Sequence, residues 1–144
     1  MTALLLRYED WCARQASWVL RLKAVAWYGI ITYLSHIPSS ASAATKGMVG
    51  GDDTLNAVFR FCAHLGVFGV LGVLVYAALH RRFVFVQSAF LTMLVTVLAA
   101  GILDEVHQSF VPGRFARVQD VVTDAAGAMM FVWGITKWRT TSRV

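Results

Sequence analysis

Charge is scarce in this chain. Charged residues make up 15% of its 144 positions, against roughly 25% in an average soluble domain, so it lacks much of what a water-facing surface needs. Cysteine is scarce too: two residues exclude a disulfide-stapled secreted scaffold. The sequence holds no HExxH or paired-cysteine motif, no Ser-His-Asp spacing, no phosphate loop, no redox motif and no internal repeat. What it has in excess is apolar surface, 58% of residues with a mean hydropathy of +0.61. That excess excludes intrinsic disorder and points to an integral membrane protein.

A bilayer core about 30 Å thick needs around 20 mostly apolar residues in a helix. Phe83 to Leu103 supplies 21 without a charge, bracketed by Arg81-Arg82 and Asp104-Glu105. Phe61 to Leu79 forms a second span. A third runs from about Lys23 to Ile37, reaching full length if it borrows Val19 to Leu22 and lets Arg21 and Lys23 snorkel. The fourth covers about Val121 to Trp138 and carries Asp124 near its start. The expected fold class is therefore all-α, a membrane bundle of about four transmembrane helices. In helix two, Gly66, Gly69 and Gly72 recur every third residue and offer a groove for close helix approach.

The basic residues set the direction. With the N-terminus inside, Arg7, Arg14, Arg21, Lys23, Arg81, Arg82, Lys137, Arg139 and Arg143 are cytoplasmic, and only Lys46, Arg60, Arg114 and Arg117 lie outside. This bias is the positive-inside signature. The net charge of +5 thus reports topology and anionic headgroups rather than a nucleic-acid partner. Residues 1–22 read as an amphipathic helix at the inner interface, with Leu4, Tyr8, Trp11, Trp18 and Leu22 apart from Arg7, Glu9, Asp10 and Arg14. A rival reading takes Ala41-Ser42-Ala43 as a signal-peptidase site, although the basic region before it is long for a leader. Residues 23–138 form the membrane domain, 139–144 a cytoplasmic tail, and 38–58 an outer loop rich in Ser, Ala, Gly and Asp. Cys12 inside and Cys62 outside are expected to form no disulfide.

Placing an Asp or Lys at mid-membrane costs on the order of 3 kcal/mol, so the polar residues near spans are informative. In this topology they gather on one side: His36, Arg60, His64, Asp104, Glu105, His107, Gln108, Arg114, Arg117, Asp120 and Asp124. If helix three continues past Leu103, Asp104, His107 and Gln108 share a face. Pro112-Gly113 suits the centre of a type II turn, after which Asp120 and Asp124 share a face in their turn. The result is a polar pocket at the outer interface, with Arg114 able to fork onto a carboxylate. The four carboxylates and two arginines of the segment sum to −2, leaving room for a proton, a metal or a cationic group.

The string D-E-x-H-Q-x-F-V-P-G-R from Asp104 to Arg114, followed by Asp120-Val121 and the small pair Gly127-Ala128, resembles the VanZ-like family of small bacterial membrane proteins. Ser35, Pro38, His64 and Leu71-Gly72 match its other patches. Two positions depart from the pattern: Asp124 stands where the family usually has Asn, and Arg60 lies one residue further from the histidine than the family's Lys. The resemblance implies a multi-helix fold in the bacterial inner membrane and a link to the cell envelope, in some members to tolerance of the glycopeptide teicoplanin.

The same residues carry bland and sharp readings. Arg114 with Asp104, Glu105 or Asp120 is either a latch between helices three and four or a clamp for a phosphate or carboxylate. His107 with Glu105, Asp104 and His64 could serve acid–base chemistry, orient substrate or bind zinc; without a diagnostic spacing, no metal or cofactor is assigned. Asp120 could cap helix four, which explains Asp124, one turn deeper, poorly. The expectation is an outward-facing site that recognises or modifies a membrane lipid or lipid-linked envelope precursor. Glu105, His107 and Asp104 would be its catalytic candidates, and Arg114, Gln108, Asp120, Asp124 and His64 would bind. A proton-coupled transporter using Asp124, which would have to form a homo-oligomer, and a non-enzymatic envelope scaffold are the alternatives.

Overall fold

The computed structural model describes residues 16–36, 53–80 and 86–141. Four helices account for almost all of them: α1 (Ser17–Ser35), α2 (Asp53–Leu79), α3 (Val86–Ser109) and α4 (Val118–Thr141). The all-helical architecture agrees with the expected class. The first fifteen residues, the Ala41–Ala43 segment and Cys12 lie outside the described residues; Cys62 is exposed and unbridged.

Two helices, Ala57–Leu79 within α2 and Val86–Ser109, are long and apolar enough to cross a membrane. In α3 only 22% of the apolar window is buried within the chain, and Leu91, Val95, Ile102 and Leu103 point outward. A helix that is apolar on all sides yet mostly uncovered suits lipid better than a soluble core. Of the other two, α1 carries Arg21 and Lys23, and α4 carries Asp120, Asp124 and Lys137. Ser17 to Leu22, assigned by pattern to the interfacial helix, runs unbroken into α1.

One boundary needs correcting. Residues 53–58, read as the end of the outer loop, form the first turns of α2. The extension gives α2 27 residues.

Neighbouring helices alternate in direction. Leu20 packs with Ala77 and Ala78, whereas Trp27 Nε1 donates to the Val67 carbonyl at 2.8 Å, so α1 and α2 are antiparallel. Tyr28 donates to the Ala100 carbonyl at 3.1 Å and Ser35 meets Asp104, so α1 and α3 run together. The ends of α1 and α3 therefore share one end of the bundle with the starts of α2 and α4. Phe68, Leu71, Val75, Met93, Val97 and Val132 fill the space between.

The α2–α4 seam is the closest contact. A Cβ added at Gly72 would stand 2.7 Å from Ala128 Cβ, and one at Gly127 would collide with the Leu65 backbone. Gly69 sits beneath the Phe131 ring, but Gly66 has open space around it, so two of the three spaced glycines form the groove. Packing of small residues brings the backbones together. Gly127→Ala should destabilise the protein by about 1–3 kcal/mol, since overpacking here presses on backbone. Gly66→Ala should be within about 0.5 kcal/mol of wild type. Unfolding in mixed micelles measures both, and equal effects would contradict the seam.

Candidate functional site

The polar residues singled out from the sequence collect at the shared end. Helix α3 does continue past Leu103, to Ser109, which places Asp104 and Gln108 one turn apart on its inner face. Asp104 Oδ2 accepts hydrogen bonds from Ser35 Oγ and Gln108 Nε2, each at 2.8 Å. Gln108 is wholly buried and Asp104 nearly so. Its Oε1 accepts from Arg114 Nη1 at 3.5 Å. A turn then reverses the chain: the Arg114 amide donates to the Val111 carbonyl at 3.1 Å, and Gly113 has φ 77. That value fits the third residue of the expected type II turn, where glycine avoids a Cβ clash.

Beyond the turn, two rungs join α2 to α4. Arg60 pairs with Asp120, and His64 Nδ1 lies 2.9 Å from Asp124 Oδ1. Both pairs are spaced i, i+4 on parallel helices, so one register satisfies both. The outer rung is the more solvated: Arg60 and Asp120 are 32% and 14% exposed, His64 and Asp124 14% and 1%. The Arg–Asp120 latch is thus made by Arg60, not by Arg114 as the sequence had allowed. Burial lowers the pKa of Arg114, Arg60 adds to the effect, and Asp104 and Glu105 oppose it.

Glu105 is buried as well, and its Oε2 accepts from the Arg117 backbone N–H at 2.6 Å, fastening α3 to the chain entering α4. His107 is placed differently from expectation. Its Nε2 lies 3.2 Å from His36 Nδ1, and Glu105 and His64 each take another partner. On the helix His107 lies about 60° from Asp104 on one side while Gln108 lies about 40° from it on the other, so His107 sits at the edge of their shared face, toward His36.

Among the described residues, four buried polar atoms have no hydrogen-bond partner: Asp104 Oδ1, Glu105 Oε1, Asp124 Oδ2 and Arg60 Nε. Asp124 Oδ2 points at Gly101 of α3, where an added Cβ would be 3.1 Å away. Asp124 is within electrostatic reach of both Asp104 and Glu105. The DEVHQ end of α3 and the start of α4 are therefore neighbours. Sequence reasoning missed Gly101, whose small size makes room for Asp124, and the donors Trp27 and Tyr28; a glycine three residues before Asp104 in an apolar run was the available signal.

The two rungs should differ in strength. Arg60→Ala should cost on the order of 1 kcal/mol, as for a half-exposed ion pair. His64→Ala should cost about 3 kcal/mol, because it strips the one partner of a buried carboxylate. Unfolding of the two variants in micelles gives the order directly.

Searches of curated proteins and of solved structures return no match to this chain. The sequence profile described as VanZ/LLP1 matches residues 20–139, a span containing all four helices except their outermost residues and every polar residue named above. The chain belongs to the VanZ/LLP1 family.

Proposed function

We propose that this VanZ-family membrane protein recognises a lipid or lipid-linked component of the cell envelope at the polar end of its bundle. In this reading all four helices span the bacterial inner membrane, both termini are cytoplasmic, and the polar end opens to the outside. The excess of basic residues at the opposite end supports that orientation. Alternation of the helices agrees with it, since an even number of spans returns the chain to its starting side.

The observation that carries the reading is the set of unpartnered carboxylate oxygens on Asp104, Glu105 and Asp124. A buried acceptor without a donor costs about 1–3 kcal/mol, and three gathered at one end exceed what a purely structural latch needs. A ligand bringing hydroxyl or ammonium donors would satisfy them. Arg114, half-buried at the turn, would meet the ligand's phosphate or carboxylate, for which a planar guanidinium is suited. Gln108, Asp120 and His64 would hold these groups in position. Recognition is better supported than modification, because Glu105 and His107, the acid–base candidates, have separate partners. Teicoplanin tolerance is the phenotype through which such binding would be seen.

Two measurements test this. In a teicoplanin-susceptible bacterium, Asp104→Asn and Arg114→Ala should each abolish the tolerance that the wild-type protein confers, at equal protein levels. Unchanged tolerance would remove the site. In a Cys12→Ser, Cys62→Ser background, Ser109→Cys should react with a membrane-impermeant maleimide in intact cells and Ser142→Cys only after lysis. The opposite pattern would invert the topology.

A further inference from the structure

His36 and His107 stand apart from the carboxylate network, facing each other across the seam between α1 and α3. His36 is the exposed C-cap of α1, and His107 is half-buried in the last turn of α3. Their facing nitrogens, Nδ1 and Nε2, are 3.2 Å apart, with ring centroids at 5.3 Å and planes tilted by 34°. One proton can be shared at that distance. So can a metal ion: two zinc–nitrogen bonds of about 2.0–2.1 Å opened to the tetrahedral angle hold their nitrogens roughly 3.3 Å apart.

The separation is set by the helices rather than by the rings. Residue 35, adjacent to His36, is tied to Asp104 at 2.8 Å, and Tyr28 is tied to Ala100 at 3.1 Å. Both bonds fix α1 against the helix that carries His107, so the backbones bearing the two imidazoles are held at this spacing, which is what a metal site requires of its scaffold. With an ion on both facing nitrogens, each ring's second nitrogen would carry the N–H and could donate to a water or an outer-shell acceptor.

We propose that His36 and His107 form a two-imidazole site for a borderline transition-metal ion, Zn2+ or Cu2+, that straps the end of α1 to the end of α3. Among the described residues no group of three or more His, Cys, Asp or Glu side chains gathers to hold a metal. Water completes the shell, leaving open positions that an oxygen ligand can take. The site uses none of the unpartnered carboxylate oxygens and stands independently of the ligand reading above.

The test uses the full chain, purified in micelles at pH 7.5 through a tag free of histidine. Zn2+ is titrated against a chromophoric indicator, and Cu2+ binding is followed by electron paramagnetic resonance. Wild type should take up one ion, with nitrogen hyperfine structure in the Cu2+ spectrum. Loss of an outer-shell partner alone weakens metal sites by about 10–100-fold, so His36→Ala and His107→Ala should each weaken binding by at least that factor. His80→Ala, altered at a residue remote in sequence from both, should bind as wild type. Zn2+ should also raise the unfolding temperature of wild type and of His80→Ala but of neither ligand variant. Should His107→Ala fail to fold, His36→Ala decides, because its side chain is exposed. No uptake by wild type, or wild-type affinity in the His36→Ala protein, would overturn the proposal.

Discussion

The rest of the structure depends on the approach of α4 to α2, where Gly127 lies against the backbone of Leu65 and Ala128 fills the space left by Gly72. In lipid the apolar surface of one helix gains little by meeting another, so close packing of small residues has to supply the association. This contact fixes the register between two parallel helices. Once that register is set, Arg60 falls opposite Asp120 and His64 opposite Asp124. The polar rungs are a consequence of the glycine seam, and they in turn reject any slip along it, because a displaced register would leave four ionisable groups unmatched.

Alternation of helix direction accounts for the asymmetry of the molecule. It brings the ends of α1 and α3 to the starts of α2 and α4, so side chains far apart in the chain become neighbours: Ser35 with Asp104, His36 with His107, Glu105 with the Arg117 amide. The apolar middle packs through Phe68, Met93, Val97 and Val132. The carboxylates Asp104, Glu105, Asp120 and Asp124 thereby gather at that end, whereas Arg21, Lys23 and Lys137 lie toward the other. The short turn at Pro112-Gly113 keeps Arg114 within reach of Gln108, and it adds this guanidinium to the same end without lengthening the loop.

Within that end, two subsets of residues can be separated. One is the buried network of Ser35, Asp104, Gln108, Glu105 and Asp124, which retains unpartnered acceptors. The other is the histidine pair at its edge, which is more exposed and shares no hydrogen bond with the first among the described residues. The two departures from the family pattern, Arg60 and Asp124, each sit in one of the rungs. Where an Asn is usual, this chain has a carboxylate and holds it with His64.

The sequence by itself determined the helical class, the two most apolar helices, the turn after α3 and the set of polar residues at one end. These follow from local rules: uninterrupted apolar length, the φ requirement of a type II turn, and the expense of placing charge in lipid. The motif from Asp104 to Arg114 also sufficed to place the chain in its family. Only the tertiary structure decided partners. Arg60 and Arg114 are chemically alike, and no local rule says which of them meets Asp120; the register of the glycine seam does. His107 lies between Glu105 and Gln108 in the chain yet faces His36, because its direction depends on which helix packs beside α3. Pairing is a property of packed surfaces, and a spacing along one helix cannot specify what stands opposite it.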